Sequence, residues 1–244
     1  MRAPQTCDAG IRWHRVQNAA ALPGEACRRI RNAASDAIRQ RGRFLIVLAG
    51  GDTPRDVYAM LRSVDTDWSR WQVYFGDERC LPDDDAGRNS RMAAQAWLDH
   101  VPISHDQVLI PPAEHGAEIA ASAYARTLRD VGEFDLVLLG LGEDGHTAGL
   151  FPGRDLGVSA EAPDVLPVLD APKPPAQRVT MSARRLNRTR AVLFLVAGAS
   201  KRHAVRQWRL GNNIPASSIH PEFGVDVVIE ASLLCDQTQP RSGP

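Results

Sequence analysis

The sequence predicts a single α/β domain, a mainly parallel sheet flanked by helices on both faces, from three observations. Short runs rich in Val, Leu and Ile recur along the chain. Between several of them lie stretches with apolar residues at three- and four-residue spacing and charge on the opposite face, the period of amphipathic helices. The run at 134–141, FDLVLLGL, is apolar on both parities apart from Asp135, as a strand covered on both faces requires. Such alternation builds a parallel, Rossmann-like sheet, whose ligands bind beyond the carboxyl ends of the strands. A chain of 244 residues is long enough for one large core. The domain is expected over residues 11–235, with the polar ends 1–10 and 236–244 (DQTQPRSGP) frayed.

Each element has its own signal. Residues 19–40 carry the first helical period, and 44–49 (FLIVLA) form the first strand. Gly50 and Gly51 break it, and Thr53 as N-cap with Pro54 at the first helical position opens a helix through 61. Strands follow at 72–75, 107–110, 134–141, 178–181, 191–197 and 225–229, and helices at 88–98, 117–130 and 201–209. The segment 162–175, APDVLPVLDAPKPP, is proline-rich without a helical period and reads as a crossing loop or lid. No internal repeat is present.

Composition excludes several functions. Lys plus Arg is 29 and Asp plus Glu is 29, so zero net charge offers no global attraction to nucleic acid or anionic membranes. Any anionic ligand must find a local basic patch. Cys7, Cys27, Cys80 and Cys235 are scattered without CxxC spacing, which argues against a zinc site or disulfide framework and fits a reducing cytosol. No apolar run reaches the roughly 18 residues of a membrane span, and the N-terminus lacks the apolar core of a signal peptide. The expected location is the cytoplasm; monomer and homodimer are both compatible with the sequence.

Four constellations carry potential chemistry. In LAGGDTPR (48–55) a strand runs into two glycines and a helix start: either an ordinary βα turn, or an anion cradle of Gly50, Gly51, Asp52 and Thr53 with unpaired N–H groups facing the ligand. In YFGDERCLPDDDAGRN (74–89), Asp77, Glu78 and Arg79 sit close to a strand end where ligands bind, whereas Asp83, Asp84 and Asp85 read as a solvated loop. In VAGASKR (196–202), Lys201 and Arg202 occupy a helix first turn, where the dipole disfavours cations unless a bound phosphate reverses the balance. Arg178 and Thr180 of RVTMS either extend that patch or belong to a plain strand. The fourth, LGEDGHTAGLFPG (141–153), places His146 three residues beyond Glu143 in a glycine-spaced loop at a strand's carboxyl end. There His146 is either a hydrogen-bonded structural residue or a general base.

Taken together, these segments resemble the 6-phosphogluconolactonase family, within the superfamily that also contains glucosamine-6-phosphate deaminase. The resemblance runs through Gly50–Pro54, Asp77-Glu78-Arg79, Asn89, Gly142 to Thr147, Leu150-Phe151-Pro152, Arg178-Val179-Thr180, Gly198 to Lys201 and Ile214-Pro215-Ala216. The deaminases fit less well, carrying tyrosine where Arg79 stands and a GHIAFNEP-like stretch where this chain has GHTAGLFP. Two departures stand out: Asp52 replaces the family's serine in the glycine loop, and Arg88-Asn89-Ser90 replaces its Ser-Asn-Tyr. The resemblance implies a deaminase-like fold, no cofactor, no metal, and a phosphorylated sugar lactone as substrate. It implies His146 as the base activating water, oriented by Asp144 or Glu143. Arg79 would hold either oxyanion or phosphate, with Asp77 positioning it. The glycine loop at 50–53, Asn89, Arg178 and Lys201 would bind the sugar and its phosphate. A deaminase or isomerase, a non-catalytic sugar-phosphate sensor, and a metal site at Asp144 and His146 are the competing readings.

Overall fold

The computed structural model describes residues 10–235; both expected flexible ends lie almost wholly outside the described residues. Seven parallel strands form the central sheet: β1 (Ile11–Val16), β2 (Phe44–Leu48), β3 (Trp71–Phe75), β5 (Val108–Leu109), β6 (Leu136–Gly140), β9 (Val192–Val196) and β10 (Val225–Glu230). Their spatial order is β1-β10-β9-β6-β2-β3-β5. The helices are α1 (Leu22–Arg41), α2 (Asp52–Leu61), α3 (Asn89–Ala96), α4 (Ala117–Leu128), α5 (Ala183–Asn187) and α6 (Arg202–Arg209).

Alternate strand residues feed two separate cores, which is why these strands are apolar on both parities. Phe44, Ile46 and Leu48 of β2 pack with Leu136 and Leu138 of β6 beneath α1 and α2, whose Ile30, Ala34, Val57 and Tyr58 are fully buried. Leu45 and Val47 point the other way and join Val137, Leu139 and Phe194 under Tyr124 of α4 and Trp208 of α6. Burying alternate residues on opposite faces fixes the strand register, because a one-residue slip would exchange the two cores.

The strand expected at 178–181 is present but outside the parallel sheet. β8 (Arg178–Met181) is the centre of a second, antiparallel sheet with β4 (Asp77–Arg79) and β7 (Val165–Val168). β7 also corrects the reading of 162–175, whose first half is a strand: its Pro167 sits on the edge strand of the small sheet, where the missing N–H is tolerated. The small sheet joins the large one at Gly76, whose N–H donates to the Leu48 carbonyl and whose carbonyl accepts from Met181.

Chain order reverses between β2 and β6: the chain leaves β2 toward β3 and β5, then returns to β6 on the other side. Two adjacent strand ends therefore send their loops apart and leave a crevice, the topological switch point at which parallel sheets bind ligands.

Candidate active site

A cleft enclosing about 690 Å³ opens at that switch point. Its walls are the loops after β2, β3, β6 and β9 together with β8. Gly50, Gly51, Asp77, Arg79, Asn89, His146, Arg178 and Lys201, all candidates on sequence grounds, line it. Asp144 lies behind His146, while Asp52 and Thr53 sit in the first turn of α2 beyond the lining.

The loop after β2 differs from expectation in its cap. Gly51, at φ +106°, is the N-cap of α2, so the helix begins at Asp52 and Thr53 is its second residue. The left-handed φ favours glycine there. Asp52 turns outward: its carboxylate pairs with Arg55 at 2.9 Å and its side chain is 87% exposed. Main-chain groups of Gly50 and Gly51 are thus what this loop presents to the cleft.

After β3, residues 77 and 79 of β4 share a face, and that face is the cleft. Asp77 is buried and accepts from Asn89 Nδ2 at 3.2 Å. Burial lifts its carboxyl to about 6, opposed by the positive charge of Arg178 and assisted by the negative charge of Glu78. Arg79 donates from Nη1 to the Gly87 carbonyl at 2.8 Å, and its Nε is buried without a partner. Glu78 points the other way and is fully buried. It accepts from the backbone N–H groups of Arg79, Asn89 and Ser90 at 2.7–2.8 Å, capping the first turn of α3.

The loop after β6 folds back on itself, with Gly142 N–H donating to the His146 carbonyl at 2.7 Å. Any Cβ on Gly142 would overlap the His146 ring, so glycine is a steric requirement of this turn. His146 Nδ1 lies 2.6 Å from Asp144 Oδ1, which also accepts the His146 backbone N–H at 3.1 Å. A hydrogen on Nδ1 pointing at the carboxylate leaves Nε2 as the basic nitrogen of the neutral ring. Burial lowers the His146 pKa below the ordinary histidine value and outweighs the opposing hydrogen bond from Asp144. The ring is therefore neutral at pH 7. The Asp144 carboxyl is lowered; burial acts to raise it, but the His146 hydrogen bonds prevail. Ala148 in the same loop holds φ +47°, a local strain of the kind concentrated at binding sites.

Geometry separates the two acids of this loop. Glu143 makes no bond to the imidazole and meets Lys173 Nζ at 3.4 Å, whose charge is the main cause of its lowered pKa, with Ser200 and Lys201 also close to it. Two participants had no role assigned from sequence, although Phe151 lay in a quoted motif. Phe151 packs against His146 at 4.8 Å between ring centroids and lies beneath the Arg178 guanidinium at 5.4 Å. Lys173 reaches the cleft rim from the proline-rich segment, whose carbonyls at Lys173, Pro174 and Pro175 accept from Arg178. An aromatic directly after a glycine loop and a lysine among prolines were the available signals.

No three His, Cys, Asp or Glu side chains among the described residues converge as a metal-binding group. No described helix is long and apolar enough to cross a membrane.

A parallel α/β sheet with a cationic cleft at its switch point, and in it a carboxylate-held imidazole, defines an anion-binding protein equipped for proton transfer. The chain belongs to the glucosamine-6-phosphate isomerase/6-phosphogluconolactonase family, whose model matches residues 17–228. It is 40% identical to a 6-phosphogluconolactonase of Synechocystis over 178 residues, covering 69% of this chain and 72% of the relative. It is 36% identical to one of Mycobacterium leprae over 198 residues, covering 75% and 80%. The 6-phosphogluconolactonase structure from Thermotoga maritima superposes with TM-score 0.83 at 26% identity, over 90% of this chain and 99% of that one. A monomeric glucosamine-6-phosphate deaminase shares the fold at TM-score 0.76 and 22% identity, a likeness of fold alone.

Proposed function

We propose that this chain hydrolyses 6-phospho-D-glucono-1,5-lactone to 6-phospho-D-gluconate. The carrying observation is the Asp144–His146 pair, its free Nε2 on a cleft that also presents Arg79, Arg178 and Lys201. Family membership and the similarity to 6-phosphogluconolactonases of Synechocystis and Mycobacterium leprae support the same reading.

Neutral His146 takes a proton from water through Nε2 as the water oxygen attacks the lactone carbonyl carbon. Asp144 holds the Nδ1 proton and stabilises the imidazolium that forms. The tetrahedral oxyanion collapses, the bond to the ring oxygen breaks, and His146 returns its proton to that oxygen. Arg79 and Arg178 offer charge to the oxyanion or the phosphate; Lys201 and the amides of the glycine loop anchor the phosphate, away from the reacting carbon. Asp77 faces the charges of Arg178 and Arg79 and offsets them in the cleft, and Asn89 contacts the sugar. The reaction needs no electron or group carrier. Its place in the cell is the cytoplasm, in keeping with cysteines scattered without a pairing pattern.

The test is acid release from freshly generated lactone, followed above spontaneous hydrolysis with and without chelator. His146→Asn is expected to lose about 10²–10⁴ in rate while 6-phosphogluconate still binds. Turnover by the variant at the wild-type rate would remove His146 from the chemistry, and a loss of wild-type activity with chelator would favour a metal at Asp144 and His146.

A further inference from the structure

Arg88 stands where the resembled family carries serine, and the chemistry above gives it no task. Its side chain is nevertheless among the most buried in the protein, with 1% of the residue exposed. A guanidinium persists in such a place only where several acceptors offset its desolvation. Arg88 Nη1 donates to Glu114 Oε2 at 2.9 Å and Asp83 Oδ1 at 3.2 Å, and Nη2 to the Pro111 carbonyl at 3.1 Å. Its Nε lies 3.6 Å from Glu78 Oε2. One side chain thereby ties β4, the loop before α3 and the segment before α4.

The residues on either side of Arg88 hold the cleft. Gly87 accepts the Arg79 guanidinium through its carbonyl at 2.8 Å. Asn89 donates from its amide to the Asp77 carbonyl at 3.0 Å and to the Asp77 carboxylate at 3.2 Å. That same amide packs so closely on Gly50 that any Cβ there would overlap it. Residues 87–89 therefore set the spacing of Arg79, Asp77 and the glycine loop, and Arg88 is the anchor of that turn.

We propose that Arg88 is a positioning residue, which touches no substrate and fixes Arg79 and Asp77 through the turn at 87–89. The proposal rests on the lactonase reading. A purely structural ion pair would support stability alone, and Arg185 provides the comparison. Arg185 is also fully buried, but it lies over the Phe134 ring at 4.0 Å and donates to the Val131 and Gly132 carbonyls. None of these residues lines the cleft.

Arg88→Met, Arg88→Lys and Arg185→Met are compared with wild type in kcat and KM across pH, at a temperature where each remains folded by circular dichroism. Arg88→Met is expected to lose about 10–100-fold in kcat/KM, as a displacement of about 1 Å can cause. Arg88→Lys recovers most of that loss. In Arg88→Met the inflection that Asp77 contributes to the acid limb also moves to higher pH while the one set by His146 stays, because the Asn89 hydrogen bond that lowers the Asp77 pKa is loosened while Arg178, Arg79 and Glu78 still face it. Arg185→Met keeps the wild-type kcat/KM and limb even where its melting temperature falls. A folded Arg88→Met with wild-type kinetics, or an equal kinetic loss in Arg185→Met, overturns the proposal. If Arg88→Met does not fold, Arg88→Gln, uncharged but still able to donate a hydrogen bond, decides: a kinetic loss in the folded variant upholds the proposal, and wild-type values overturn it. A wild-type protein inert toward the lactone would overturn the functional reading itself, a result distinct from indifferent Arg88 variants of an active enzyme.

Discussion

Two loops of the cleft carry adjacent acids, and they divide the work differently. After β3, Asp77 faces the cleft while Glu78 is sealed beneath it, bonded to three backbone N–H groups. After β6, Asp144 turns to His146 while Glu143 reaches out to a lysine at 3.4 Å, both side chains about half exposed. In each pair one acid serves the site and its neighbour serves the scaffold. The second acid is structural and dry in the first loop, and solvated beside Lys173 and Lys201 in the second. Exposed ion pairs contribute little, whereas an unpaired buried charge costs several kcal/mol.

The sharpest test of this division is the second pair. Asp144→Asn removes the negative charge that stabilises the imidazolium and lets an amide NH2 compete for the place facing Nδ1, so about 10³-fold in kcat should go. Glu143→Gln should change kcat by less than about threefold, since the pair it breaks is of the weak, exposed kind. The pH profile adds a sign. Asp144 raises the His146 pKa against burial, so in Asp144→Asn the acid limb set by His146 should move to lower pH. A limb moving upward, or equal losses in both variants, would break the assignment.

The first pair is best separated by stability. Asp77 titrates at about 6 against an ordinary 3.8, so the fold favours its protonated form. That favourable contribution is complete below about pH 4 and is lost as pH rises through 6. Asparagine mimics the protonated carboxyl. The unfolding free energy of Asp77→Asn relative to wild type should therefore rise by about 3 kcal/mol between pH 4 and pH 8, from two pKa units at about 1.4 each. Catalysis falls in that variant even as stability gains. Glu78→Gln should instead destabilise by about 3 kcal/mol at neutral pH, leaving Arg88 with a weakened partner. Denaturant melts across pH read both; a difference for Asp77→Asn that is flat with pH would place its carboxyl near its ordinary value.

The same comparison explains what was legible in the sequence. Strand and helix periods marked the central sheet, and strand ends with glycine turns marked Gly50, Gly51, His146 and Lys201, because these signals are local. The choice between Glu143 and Asp144 was not legible: Lys173, which claims Glu143, is 30 residues away in sequence. Likewise Glu78 looks like any charged strand end until α3 brings its amides to it. β4 and β7 escaped notice because three charged residues and a proline-rich stretch carry no strand period, and only β8 between them makes a sheet. β1, IRWHRV, interleaves cations with its apolar residues, as suits the sheet edge it forms.

The smallest expected effect belongs to a third acid, Asp52, which stands beside the glycine loop yet outside the cleft. A carboxylate next to a phosphate would repel it, by about 1 kcal/mol at 4 Å in water and more in a drier cleft. Turning outward to Arg55 at 2.9 Å avoids that cost, and an acid in the first turn of α2 also suits the helix dipole. The structure places Arg88 in its own buried cluster with Glu78, Asp83 and Glu114, so the two departures do not meet. Asp52→Ser should therefore tighten inhibition by 6-phosphogluconate by no more than about threefold, the residual field of an exposed charge screened by salt. Combined with Arg88→Lys, its effect should be additive. A tenfold weakening by Asp52→Ser would mean that the outward carboxylate, through Arg55, fixes the conformation of Gly51, and Asp52 would then join Glu78 as a scaffold acid on which the cleft depends.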